Sequence, residues 1–165
     1  MNFGMCESLL RHLDDGSLRI GQAPQPTQDW LRDLNLPRSL CQIMRYHWVQ
    51  DDCSFSEFEV FSSKSIQADE FTPTFLSHSF LYIGDAGNGD WLAIDFATEA
   101  CQPGLVSHEE CAHEDGDNPR EYFEPIAKSF EGLLYRIDEG RFIPVDYFQA
   151  HDYNEIARQE DSTDT

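Results

Sequence analysis

The sequence predicts an α+β domain in which helices flank an antiparallel meander. Three observations lead there. Apolar residues recur at helical spacing in the N-terminal third, short β-like runs separated by tight turns fill the middle, and helical spacing returns towards the C-terminus. Blocks of helices, then strands, then helices give α+β, whereas parallel βαβ units would alternate. The chain has 165 residues, which suits one domain, and 40% of them are hydrophobic, including 12 Phe, 6 Tyr and 3 Trp. That is too much aromatic volume for a disordered chain.

The elements are expected as follows. Residues 5–13 form a short helix ended by Asp14-Asp15-Gly16. Residues 23–26 are a Pro-rich connection, and Thr27 caps a helix carrying Trp30, Leu31 and Leu34 on one side. Leu36-Pro37 stops that helix and opens another, because proline suits a first helical turn. Leu40, Ile43, Met44 and His47 then face the core. Residues 53–61 read as one strand, through Phe55, Phe58, Val60 and Phe61, although its alternation slips once. Residues 62–73 are polar, with Ile66 and Phe71 as isolated anchors.

The strongest local pattern is residues 80–96. Two β-like runs, 80–83 and 91–96, surround Gly84, Gly87 and Asn88-Gly89, which supply positive-φ positions for a hairpin turn. Residues 104–107 should be the next antiparallel strand, and residues 107–122 an acidic loop. Pro125 is expected to open the clearest helix, with Ile126, Ala127, Phe130, Leu133, Leu134 and Ile137 as its apolar stripe and Gly140 as its stop. An apolar stretch over 142–150 and a short helix over 152–158 follow. Residues 1–160 thus form one domain, and 161–165 an acidic tail that frays.

Charge narrows the function. Lys plus Arg is 11 and Asp plus Glu is 31, a net of −20. Such a field disfavours nucleic acid and anionic membrane, and it favours solubility and fast capture of a basic partner. Cys6, Cys41, Cys53, Cys101 and Cys111 are odd in number and contain no CxxC pair, which suits reduced thiols in a cytoplasm. The start of the chain carries Glu7, Arg11 and His12 and too short an apolar run for a leader or a membrane span.

Several constellations hold residue types that could carry chemistry. His108, Cys111 and His113 have zinc-ligand types, but the histidines are five apart and miss the i, i+4 helix face. Asp85, Asn88 and Asp90 offer oxygen ligands without the spacing of a calcium loop, and such residues belong in turns anyway. The Gly-rich turn leads into a β pattern, so no helix N-terminus faces a phosphate there. Ser77-His78-Ser79 and Ser107-His108-Glu109 are neighbours in sequence, which does not make a triad. The expectation is therefore no catalytic centre, no metal and no cofactor. What remains is a recognition surface built from Asp85, Asn88, Asp90 and Trp91 with His108, Glu109, Glu110, Glu114, Asp115 and Asp117, since both segments flank the same meander. Tyr82 or Trp91 would add an aromatic anchor, with packing in the core as the competing role.

An ordered set of segments resembles the SUKH superfamily. Leu36-Pro37 opens a helix through Leu40 and Ile43, Ile83-Gly84-Asp85 leads through Gly87, Gly89 and Asp90 to the strand ending at Asp95, and Gly104 to Val106 runs into His108-Glu109. The segment Ile126-Ala127-Lys128-Ser129-Phe130-Glu131-Gly132-Leu133-Leu134 is similar to the closing helix of that family. The resemblance spans residues 29–137; His47-Trp48 stands where members usually have Asn-Gly, and residues 53–73 do not align. It implies a non-enzymatic binding protein, in bacteria an immunity protein that neutralises a cognate toxin, often a nuclease. Contact residues do not transfer. A regulatory scaffold of the same fold, and a metal-dependent hydrolase using His108, Cys111 and His113, are the alternatives.

Overall fold

The computed structural model describes residues 3–13, 19–55, 57–111 and 118–163. The chain runs α1 (Phe3–Leu13), β1 (Ile20–Gly21), α2 (Gln25–Asp33), α3 (Arg38–Tyr46), β2 (Trp48–Val49), β3 (Cys53–Phe55), β4 (Phe58–Val60), α4 (Ser63–Ala68), α5 (Thr72–Ser77), β5 (Phe80–Ala86), β6 (Trp91–Asp95) and β7 (Gln102–Val106). It continues through α6 (His108–Cys111), a 3-10 turn (Pro119–Tyr122), β8 (Phe123–Pro125), α7 (Phe130–Asp138) and α8 (Tyr147–Thr163). Strands β3 to β8 form a six-stranded sheet in sequence order, and β1 pairs with β2 in a separate ladder. Every pairing is antiparallel. The fold is therefore the single-domain α+β meander that the sequence predicts.

The sheet is buried on both faces. Leu81, Ile83, Leu92, Ile94 and Leu105 meet Cys6, Leu9 and Leu10 of α1, Leu40, Ile43 and Met44 of α3, and Phe130, Leu133 and Leu134 of α7. The opposite face carries Phe80, Tyr82, Ala93 and Val106, covered by Phe75 of α5. Each fully buried Leu, Ile or Phe contributes about 1.5–3 kcal/mol of transfer free energy. Cys6 and Cys101 lie in the larger core, and burial pushes their thiols up to about 12 and about 11. All five cysteines are unbridged. Among the described residues no helix is long and apolar enough to cross a membrane.

Several expectations need correction. Thr27 is not a cap: α2 begins earlier, behind Pro24, and the buried Thr27 hydroxyl donates to Gln67 Oε1 at 2.9 Å. The single strand over 53–61 is a hairpin, and the slip in its alternation marks the β3–β4 turn. Of the glycines at 84, 87 and 89, only Gly89 has positive φ, at +94°. The Ala86 carbonyl accepts from Gly89 N at 2.9 Å and Ala86 N donates to the Asp90 carbonyl at 2.8 Å, so three residues close the β5–β6 hairpin with Gly89 in the left-handed position. The strand accordingly runs on to Ala86.

Pro125 opens no helix. It pairs with Gly104 in the sheet, and Ile126 N continues the ladder to the Pro103 carbonyl at 3.1 Å. Helix α7 starts at Phe130, where Ser129 Oγ accepts from Gly132 N. Ile126 and Ala127 are buried, so their apolar character matched a helical stripe without belonging to it. Gly140, at φ +61°, does end the helix. The short helix expected over 152–158 is part of the 17-residue α8, which carries helix through the start of the expected tail to Thr163. Asp14-Asp15-Gly16 and residues 164–165 lie outside the described residues.

Gly84 marks a close approach. It sits at the register shift after Tyr82, and a Cβ there would drive into the Glu59 carbonyl and the Val60 backbone. A Cβ at Gly87 meets nothing within 4 Å. Gly84→Ala is expected to lower unfolding stability in urea by about 2–3 kcal/mol, and Gly87→Ala to leave it within about 0.5 kcal/mol. Equal midpoints for the two variants would contradict the close approach.

Candidate functional site

The β5–β6 turn is anchored by a carboxylate that faces inward. Asp90 is 1% exposed. Its Oδ2 accepts from Asn88 Nδ2 at 2.7 Å and from Tyr147 N, at the start of α8, at 2.8 Å. Its Oδ1 accepts from His108 N at 3.2 Å and His108 Nδ1 at 2.9 Å. Burial would raise the Asp90 carboxyl, but the bonds from Tyr147, Asn88 and His108 outweigh it and hold it below the ordinary carboxylate value. Asp90, Asn88 and His108 are therefore brought together, as the sequence suggests, but as a knot that joins the hairpin, α6 and α8. Within the expected surface Asp90 is a positioning residue and presents no free charge.

A second buried carboxylate fastens the same helix further along. Glu124 of β8 is 8% exposed, and its oxygens accept from His151 Nδ1 and Asn154 Nδ2, both at 2.8 Å. The Glu124 bond is also the main reason that His151 is raised above its ordinary value.

The acids that do face outward lie across the smaller-core face of the sheet. Asp85 is half-buried, and its Oδ1 accepts from the Tyr82 hydroxyl at 2.7 Å. Glu59 on β4 stands directly opposite Asp85 on β5. Burial raises the Asp85 carboxyl most, and repulsion from Glu59 and Asp69 adds to it, against the lowering effect of the Tyr82 hydroxyl and His108. Asp95, on the same face, is neutralised by a bidentate pair with Arg120 at 2.8 Å for both bonds, while Arg120 also covers the Phe80 ring at 4.6 Å. No such cation pairs with Asp85 among the described residues.

Aromatic rings border these acids. Trp91 is half-buried, 5.1 Å from the Phe71 ring and 5.6 Å from Phe75. Phe71 also meets Tyr82 edge-on at 6.4 Å and is itself exposed. Tyr82 is thus a packed wall, Trp91 is half-buried beside it, and Phe71 is the most exposed of the three rings. Glu109 and Glu110 are exposed at the start of α6, beside the knot that His108 ties. Glu114, Asp115 and Asp117 lie outside the described residues, as does His113 of the proposed zinc set. Among the described residues no three His, Cys, Asp or Glu gather in a metal-ligand geometry.

Sequence reasoning missed Glu59 and Asp69 in the stretch read as one strand and a polar connection, and it read Phe71 there only as an isolated anchor, whereas the ring is exposed. Phe58-Glu59-Val60 held a usable signal: an acid between two buried apolar residues of a strand points to the opposite face.

Asp90→Asn keeps the size of the group but turns one oxygen into a donor facing N–H groups. It is expected to cost about 2–3 kcal/mol in urea unfolding and to speed amide exchange at Tyr147. The folded Asp90 carboxyl is depressed, so its contribution is present above the ordinary value of 3.8 and fades as pH falls through the folded one. The variant should accordingly lose less stability than the parent between about pH 5 and pH 3. An identical acid limb would remove Asp90 from its central place.

No family model matches the chain, and no curated protein and no solved structure matches it.

Proposed function

We propose that the chain is a non-enzymatic, cytoplasmic immunity-type protein that captures a basic partner, a bacterial toxin such as a nuclease. The observation that carries this reading is the Glu59–Asp85 pair, two carboxylates opposed across neighbouring strands beside the exposed Phe71. Like charges placed opposite each other destabilise a sheet. A partner that supplies a cation converts that cost into binding free energy, and the ring of Phe71 offers it an apolar or cation–π contact. The net charge of −20 supports the same partner class, because long-range attraction raises the encounter rate with a basic protein. A nuclease is such a protein, since it must hold phosphates. The resemblance to the SUKH superfamily supports the same role, and the unbridged cysteines suit a reducing compartment.

Co-expression with a basic nuclease toxin, taken from the neighbouring genes, tests the reading. Growth should be rescued and a stable complex should form, with an association rate that falls as salt rises. Toxicity that persists with no complex would refute it. Asp85→Asn is expected to raise unfolding stability by about 0.5–1 kcal/mol, since it relieves the repulsion from Glu59 and Asp69. The folded Asp85 carboxyl is raised, so its contribution to stability is greatest in acid and is lost as pH rises through the folded value. The gain from Asp85→Asn should therefore be larger at neutral pH than in acid. The same variant should slow toxin association several-fold at low salt.

A further inference from the structure

The large apolar side chains that face solvent are unevenly placed. Phe142 is 63% exposed, Ile156 59%, Phe148 52%, Tyr153 42% and Tyr135 40%, all on or beside α7 and α8. Among the described residues only Tyr46 and Phe71 join them from the rest of the chain. Phe142 and Tyr153 lie with ring centroids 6.0 Å apart. Beside them runs a groove of about 440 Å³ walled by Ile137, Phe142, Ile143 and Val145 together with Glu57 and Arg141. Concentrated apolar exposure of this kind marks an interaction surface.

Charge says what covers it. On the other side of Tyr153 a second groove, about 470 Å³, holds Lys128 and Arg136. Arg136 lies 5.7 Å from the Tyr153 ring and donates to the Ile126 carbonyl at 2.8 Å. Arg19, Arg32, Arg120 and Arg141 each pair with an Asp or Glu, but neither Lys128 nor Arg136 forms an ion pair among the described residues. Going round α8 away from Tyr153, at 3.6 residues per turn, the exposed side chains come in the order Gln149, Ile156, Asp152 and Phe148, with the half-buried Glu155 next. The surface therefore has cations along one flank, apolar groups in the middle, edged by Glu57 and the mutually neutralised Arg141–Glu139 pair, and carboxylates along the other flank.

We infer that this surface binds a second copy of the chain, about a two-fold axis. A two-fold contact is self-complementary: each patch meets its own likeness reversed. Lys128 and Arg136 of one copy then face Asp152 and Glu155 of the other, while Phe142, Tyr153 and Ile156 close on their counterparts. A basic partner, the class argued for the sheet face, would bring like charge against Lys128 and Arg136. An acidic partner would meet Asp152 and Glu155. Two chains of −20 repel at long range, so screening favours this dimer, whose contact pairs lie well inside a Debye length.

Sedimentation of the full chain tests this over about 1–200 μM. A monomer–dimer equilibrium is expected, tighter at about 0.3 M salt than at about 0.02 M. Ile156→Asp should weaken dimerisation at least about tenfold and Lys128→Glu at least about threefold. Both side chains are exposed, so the urea midpoint of each variant should match the parent, and Phe142→Ser provides a third variant of the same kind. A monomer throughout that range at high salt would overturn the inference. So would a dimer that all three variants leave intact, which would place the contact elsewhere. Toxin capture by a monomeric Ile156→Asp variant would leave the proposed function standing, so the two readings fail separately.

Discussion

One buried carboxylate sets the arrangement of this molecule. Asp90 gathers donors from a turn, from the first residue of α6 and from the first turn of α8, which lie far apart in sequence. Desolvating a carboxylate is expensive, and only several simultaneous donors offset the cost. Asp90 has them, and its position requires Gly89 in the left-handed conformation just before it. The hairpin, the short helix after the sheet and the C-terminal helix are consequently not independent parts. Glu124 repeats the device one edge of the sheet away, with His151 and Asn154 as its donors.

This use of buried acids changes how the charge of the chain is read. Of the carboxylates near the meander, Asp90 and Glu124 are internal ties and Asp95 is matched by Arg120. Glu59 and Asp85 are different, because they face each other across two strands. A sheet gains nothing from that juxtaposition, and its neighbours Tyr82 and Phe71 are arranged around it as a wall and an exposed ring. Composition alone counts all of these acids equally. Only their placement separates ties from surface.

The sequence was most legible where local physics decides conformation. The α3 stripe of Leu40, Ile43 and Met44 is buried as its spacing demands, and the hairpin around Asn88-Gly89 forms because few residues other than glycine tolerate the turn. It was least legible where tertiary context overrides pattern. Ile126 and Ala127 extend an apparent helical stripe, yet both precede α7, because Pro125 pairs with Gly104 and Ile126 N bonds the Pro103 carbonyl, which satisfies the backbone at the sheet edge. The α4 and α5 segments hid behind polar composition, since these helices are only six residues long and each buries one large apolar side chain, Ile66 or Phe75, beside a hydroxyl residue. At the site, residue types pointed to the right hairpin but not to which side chains face out. Asp90 and Asp85 are alike in sequence and opposite in placement, and the difference depends on donors brought from α8.

The two innermost cysteines carry a practical corollary. Thiols raised to about 12 and about 11 hold almost no thiolate at neutral pH, and core walls keep reagents from them. Alkylation of Cys6 or Cys101 must then wait for the domain to open, whereas the half-buried Cys41, Cys53 and Cys111 are reachable through smaller fluctuations. The rate at which a thiol reagent consumes the inner pair becomes a clock for global opening, built into the native chain without any added label.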